Sequence, residues 1–159
     1  MSRVVSTCVF LTTGCPLDIS PYNTRLFKLK DGSFELRLAS SLSGAGSDPV
    51  GTKFVGKHDF EGRSITITRG DYSVFMKASA DYLEKAKAFA ANEHERDMLS
   101  RYISSFHTGS IEDHIDGSRS WIKDKGPIVE SYIGFIESYR SPCGTRGEFE
   151  GYPYCIDLF

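Results

Sequence analysis

The chain has 159 residues, with 19 Lys plus Arg against 21 Asp plus Glu and a formal net charge of −2. Its hydrophobic fraction is 40% and its charged fraction 25%, values of a soluble globular domain that exclude general disorder. No basic excess exists to draw it to a nucleic-acid backbone or an anionic membrane, and no apolar stretch approaches the ~20 residues of a membrane-spanning helix.

Near the start, Val4, Val5, Val9, Phe10 and Leu11 read as a short strand, and Gly14, Pro16 and Pro21 break anything longer. Ser6 and Thr7 interrupt this run, which is too short for a secretory leader. The four cysteines are Cys8, Cys15, Cys143 and Cys155. They form no C-x-x-C pair, so free thiols of a cytoplasmic protein are expected.

Residues 24–30 and 33–40 flank Asp31-Gly32, a strong hairpin signal. A two-residue turn predicts Leu29 opposite Phe34 and Phe27 opposite Leu36. One face would then bury Phe27, Leu29, Phe34, Leu36 and Leu38. Residues 42–51 are rich in Ser and Gly and read as a loop. Two further strands are predicted over 53–60 and 63–69, where Ile65 and Ile67 alternate with Ser64, Thr66 and Thr68.

From Tyr72 to Phe106 the period changes to that of helix. Asp71 is the expected N-cap. Tyr72, Phe75, Met76, Tyr82, Leu83, Ala86, Phe89 and Ala90 form one apolar stripe. Polar residues 92–96 mark a break, after which Met98, Leu99, Tyr102, Ile103 and Phe106 restart the stripe. Gly109 ends it, and Ser110 with Glu112 and Asp113 opens a further helix toward Trp121. After a turn at 123–127, residues 128–137 read as a strand, and residues 141–154, with three glycines and two prolines, as a loop.

Three apparent motifs dissolve on inspection. His94-Glu95 suggests a zinc-binding helix, but the position one turn on is Met98, so the second ligand is missing. His107 and His114 are separated by Gly109 and have no evident third ligand. Gly144-Thr-Arg-Gly147 lacks the spacing and the Lys-Ser/Thr of a phosphate loop, and Glu148 and Glu150 follow it. A tight turn is the better reading there.

The strand over 128–137 carries more. Ile128, Glu130, Tyr132, Gly134 and Ile136 share one face, and Val129, Ser131, Ile133 and Phe135 the other. Glu130 and Tyr132 then stand about 6–7 Å apart. A carboxylate beside a phenol suits a peptide end, since one receives an ammonium and the other donates to a carbonyl. Gly134 would leave room beside them. On pattern alone, a plain half-solvated strand face accounts for these residues as well.

The same stretch, Gly126-Pro-Ile-Val-Glu-Ser-Tyr-Ile-Gly-Phe-Ile-Glu-Ser-Tyr-Arg140, resembles the signature segment of the dipeptidyl peptidase III family of zinc exopeptidases. The resemblance extends through Tyr22-Asn-Thr-Arg-Leu-Phe, Thr68-Arg-Gly-Asp-Tyr, Leu83-Glu-Lys-Ala-Lys-Ala, Tyr102-Ile-Ser-Ser-Phe and Arg146-Gly-Glu-Phe-Glu-Gly151. It covers residues 18–151, leaving 1–17 and 152–159 as unmatched ends.

The resemblance implies an α+β fold: antiparallel strands of a partial small β-barrel packed with helices, in the barrel-bearing lobe of a two-lobed peptidase. It implies release of dipeptides from the N-terminus of oligopeptides. Glu130 would bind the free amino group, and Tyr132 the peptide and its carbonyl. The family's His-Glu-x-x-Gly-His zinc motif is absent, so no metal ligand and no catalytic residue is expected in this chain. Zinc belongs to the full-length family. The usual Asp-Pro-Phe-Gly turn is Ser141-Pro-Cys-Gly144 here. The expected partners are oligopeptides and the missing second lobe of the enzyme, with no nucleic acid and no membrane. The unmatched ends suggest a truncated, alternatively spliced or mispredicted product. A non-catalytic peptide-binding or regulatory protein is the alternative.

Overall fold

The Asp31-Gly32 step does build a hairpin, joining β1 (Thr24–Lys28) to β2 (Phe34–Ala39). The computed structural model describes residues 19–43, 55–60, 62–125 and 127–155. The early apolar run around Val9 and most of the Ser/Gly loop fall outside the described residues.

The hairpin loop is longer than the sequence suggested. The Leu29 N–H donates to Ser33 O at 2.9 Å and the Gly32 N–H to Leu29 O at 3.2 Å. Gly32 takes φ +88°, which closes a three-residue loop on a left-handed residue. The register moves by one: Lys28 faces Phe34, Phe27 faces Glu35 and Leu26 faces Leu36. A slip of one residue exchanges the faces of a strand. The buried face therefore holds Leu26 with Leu36 and Leu38. Phe27 lies on the opposite face, where the guanidinium groups of Arg37 and Arg25 cover its ring at 4.3 and 5.1 Å. Leu29 is exposed.

Two more strands, β3 (Gly56–Phe60) and β4 (Arg63–Asp71), complete a sheet of order β1-β2-β4-β3. β2 pairs with β4 in parallel, with Phe34 opposite Ile65 and Leu36 opposite Ile67. With its one parallel pair the sheet is mixed where antiparallel strands were expected, and together with the helices that follow it gives the expected α+β class. Among the described residues the strands form two separate open sheets, so no barrel closes. The physical reason lies in side-chain character. Ile65 and Ile67 bury fully against Leu36 and Leu38, which places β4 centrally and leaves the polar β3 at the edge.

Asp71 is not a helix cap. It ends β4 and is buried, and its carboxylate accepts from Arg25 Nε at 2.6 Å. The cap position is Tyr72, at φ 54° and without a side-chain cap, with Arg25 stacked 4.3 Å over its ring. Three helices follow: α1 (Ser73–Lys87), α2 (Glu93–Thr108) and α3 (Ile111–Lys123). Asn92 caps α2 through the Glu95 N–H at 2.9 Å, and Ser110 caps α3 through the Asp113 N–H at 3.1 Å. The break and the restart read from the sequence are therefore real.

Of the first helical stripe only Met76, joined by Ala80, is buried. Phe75 and Tyr82 are 69% and 70% exposed, and Val74 and Phe89 are exposed as well. Met76 and Ala80 pack with Ala39, Ile103, Phe106 and Phe135. Sheet and helices are sewn together by the Ser41 N–H to Phe106 O at 2.8 Å and by Asn23 Nδ2 to Gly109 O at 2.8 Å.

The last two strands, β5 (Val129–Phe135) and β6 (Phe149–Cys155), form an antiparallel ribbon. β6 was expected to be loop. Its Gly151 and Pro153 conceal the alternation of Glu150, Tyr152 and Tyr154, and a two-stranded ribbon tolerates Pro because each strand has an open edge. Cys155 is a free, exposed thiol, whereas Cys143 is disulfide-bonded, against the expectation of free thiols. Linear spacing does not reveal which sulfurs a fold brings together.

Candidate functional site

β5 holds both residues singled out in the sequence. Its inner face sends Ile133 and Phe135 to the helical core. Strand alternation turns Glu130, Tyr132 and Gly134 the other way. The β6 residues opposite them are Tyr154, Tyr152 and Glu150 in that order. One face of the ribbon thus carries two carboxylates and three phenols.

Glu130 is half-buried, and its Oε1 accepts a hydrogen bond from the Trp121 indole nitrogen. One carboxylate oxygen is held in this way. Tyr132 lies 6.0 Å from the Tyr152 ring, and Tyr152 stacks on Tyr154 at 5.9 Å and 11°. Burial pushes the Tyr132 phenol above its ordinary pKa, and the Glu150 and Glu137 carboxylates and Tyr152 add to the effect. The phenol is therefore a proton-bearing donor at neutral pH. Oε1 of Glu150 is buried without a hydrogen-bond partner.

The room beside Gly134 is not open. The His114 imidazole fills it, since a Cβ on Gly134 would meet His114 Nε2 at 2.1 Å. His114 Nε2 donates to Ile133 O at 3.1 Å, and the ring stacks on Tyr102 at 4.6 Å and 11°.

Sequence reasoning missed the Trp121 contact and the Tyr152 and Tyr154 neighbours. Nothing in the sequence pairs Trp121 with Glu130, because the contact depends on how α3 lies against β5. The period-2 run of β6 was a usable signal that Gly151 and Pro153 masked.

The histidines do not converge as a metal site. His107 Nδ1 is 2.6 Å from Ser41 Oγ, His114 faces the Ile133 carbonyl, and His94 is in the first turn of α2. No group of three or more His, Cys, Asp or Glu among the described residues could hold a metal ion. The described residues do not fit a zinc centre. No helix among the described residues is long and apolar enough to cross a membrane.

On the other side of the ribbon, Phe75, Met76 and Tyr82 of α1 meet Phe135, Pro142 and Phe149 around a groove of about 810 Å³. Its lining is mostly apolar, with Arg140, Arg146 and Glu148 among it.

The model of the family described as Peptidase family M49 matches residues 13–157. Dipeptidyl peptidase 3 of Homo sapiens is 55% identical over 140 residues, covering 85% of this chain and 19% of its own length. The Mus musculus protein of the same name is 53% identical over 143 residues, with 85% and 19% covered. That of Nematostella vectensis is 49% identical over 145 residues, with 85% and 20% covered. The chain thus spans about a fifth of the length of these relatives.

Proposed function

Because the chain belongs to peptidase family M49, we propose that it supplies a substrate-binding part of a zinc-dependent dipeptidyl peptidase. The whole enzyme releases dipeptides from the N-terminus of oligopeptides in the cytoplasm. The partners in this reading are those oligopeptides and the rest of the enzyme, its second lobe included. The zinc is held outside this chain, and the chemical step belongs there. What the chain's own residues do is bind and orient.

The observation that carries the reading is the pairing of Glu130 with Tyr132 on one face of β5, with Glu130 fixed by Trp121. The indole occupies one carboxylate oxygen and leaves the other for the substrate's α-ammonium group. The contact is charge-assisted and stronger than a neutral hydrogen bond. Tyr132, about 6–7 Å along the strand, offers its O–H to a carbonyl of the bound peptide. Two anchors one strand pleat apart fix how far the chain enters from its free amine. That is the basis of cutting after a set number of residues.

The test is a calorimetric titration of the 159-residue chain with a tetrapeptide bearing a free amine and with its N-acetylated form. Binding of the free amine at least tenfold more tightly is expected. Equal affinity for the two removes the ammonium-binding role.

A further inference from the structure

Cys143 is disulfide-bonded and Cys155 is a free thiol. The chain has four cysteines, so the partner of Cys143 is Cys8 or Cys15. Both precede Ile19, where the described residues begin. The bond therefore ties the N-terminal segment to the turn at 141–144.

That turn belongs to the apolar groove. Ser141 and Pro142 line it, and the Gly144 N–H closes the turn on Ser141 O at 2.9 Å. Phe75 and Tyr82 of α1 line the same groove and are 69% and 70% exposed. The chain enters beside it, because Gly147, also in the lining, donates its N–H to Tyr22 O at 3.0 Å. Cys15 stands seven residues before Tyr22 and Cys8 fourteen, so extended chain reaches ~23 and ~46 Å. The four residues from Gly147 back to Cys143 span at most ~14 Å. Either sulfur can thus bring its Cα within the ~7 Å of Cys143 that a disulfide requires.

The segment suits the groove in character. Residues 4–17 hold no Asp, Glu, Lys, Arg or His, and Val4, Val5, Val9, Phe10 and Leu11 form their apolar run. Of the three charged residues in the lining, Arg140 and Glu148 pair with each other at 3.3 Å and ask no charge of an occupant. Residues 44–54, the other long stretch outside the described residues, contain Asp48 and Lys53 and no cysteine.

We propose that the apolar groove is the docking site of the chain's own residues 4–11, held there by the disulfide of Cys143 with Cys8 or Cys15. The tether decides the occupant. A linked segment acts at about millimolar effective concentration, so at micromolar protein a second copy competes poorly for the same surface. Residues 1–12 lie outside the family match, and Cys143 stands where the usual turn of the family has Phe, so the strap is a feature of this chain. It is independent of the reading of β5 as a peptide strand. A dithiol reductant opens it: the reductant gives two electrons and two protons, the S–S bond breaks to two cysteine thiols, and the reductant closes its own disulfide.

The 159-residue chain is compared oxidised, after dithiol reduction and as Cys143→Ser, with the apolar dye anilinonaphthalene sulfonate as the probe of the groove. Peptide mapping without reduction should join Cys143 to Cys8 or Cys15. Reduction and Cys143→Ser should each tighten dye binding roughly tenfold and lower the concentration at which the chain self-associates in sedimentation velocity. Phe10→Ser with Leu11→Ser keeps the disulfide and removes two apolar anchors, so this variant, oxidised, should bind the dye as the reduced parent does. Adding Phe75→Ser and Tyr82→Ser to Cys143→Ser should abolish the gain in dye binding. Where Cys143→Ser does not fold, the reduced parent carries the same expectation. The proposal is overturned by an oxidised Phe10→Ser, Leu11→Ser chain that binds the dye as the oxidised parent does. A mapped bond from Cys143 to Cys155, or a groove shielded only in a dimer of oxidised chains, overturns it equally.

Discussion

The Trp121 indole nitrogen donates to Glu130 Oε1 across the gap between α3 and β5. A carboxylate so held loses little freedom when a cation arrives, and binding is strengthened by costs already met. Trp121→Phe keeps the bulk and removes the donor. Affinity for a free-amine peptide should fall by up to about tenfold, discounted from the usual value of a charged hydrogen bond because the indole is 38% exposed. Calorimetry on the folded variant checks this. An unchanged Kd would show that Glu130 needs no support.

His114 gives stability a pH dependence with a definite sign. Burial lowers its pKa below the ordinary 6.5, and the bond to the Ile133 carbonyl opposes this only in part. Above about 6.5 the folded and unfolded states are both neutral, and the contribution is complete. As pH falls below that value, the unfolded chain binds a proton that the folded chain resists, so stability is lost down to the folded pKa. Urea unfolding between pH 5 and 7.5 should show this loss, and His114→Gln should flatten it. Glu35 acts in a lower window. Its pKa is lowered chiefly by the Arg37 hydrogen bond, so its contribution is present above its ordinary value and lost only in stronger acid.

Phe75 and Tyr82 stand in water on α1 beside an apolar groove of about 810 Å³. Apolar patches of this kind promote association. The isolated chain should self-associate in a concentration-dependent way, visible by sedimentation velocity. The double change Phe75→Ser with Tyr82→Ser should reduce this association. The unfolding free energy should shift by only about 0.5 kcal/mol per site, as for exposed positions. Association undiminished in the variant would place the sticky surface elsewhere.

The isolated chain should take up less than one equivalent of zinc on dialysis and should not turn over a dipeptidyl-naphthylamide. The motive is that His107 and His114 are committed to Ser41 and Ile133 and that no ligand set converges among the described residues. Stoichiometric tight zinc together with turnover would refute it.

Much of the fold was legible wherever periodicity alone decides the outcome. The β2 face of Leu36 and Leu38, the Ile65 and Ile67 alternation, the Gly109 stop and the Ser110 cap were all visible. The β1 face was not, because one extra loop residue at Leu29–Ser33 reverses it, and a favoured turn dipeptide does not fix loop length. Asp71 had the chemistry of a cap, but Arg25 claims its carboxylate from 46 positions away. The α1 stripe was correctly apolar in sequence. A helical period says which face is apolar, not what covers it, and Phe75 and Tyr82 remain exposed. In the site, alternation placed Glu130 and Tyr132 together. Trp121 and His114 reach β5 only through helix packing, which leaves no local pattern.

The most direct test is the Glu130→Gln change, measured on the 159-residue chain with paired free-amine and N-acetylated tetrapeptides. Gln keeps the shape and an acceptor for the Trp121 indole but loses the charge. A hydrogen bond to a charged group contributes about 1.5–3 kcal/mol, so Kd for the free-amine peptide should rise roughly 10–150-fold. Kd for the acetylated peptide should stay within about twofold, because that peptide carries no ammonium to lose. A folded Glu130→Gln chain that binds both peptides as the parent does would contradict the assignment of Glu130 as the amino-terminal anchor.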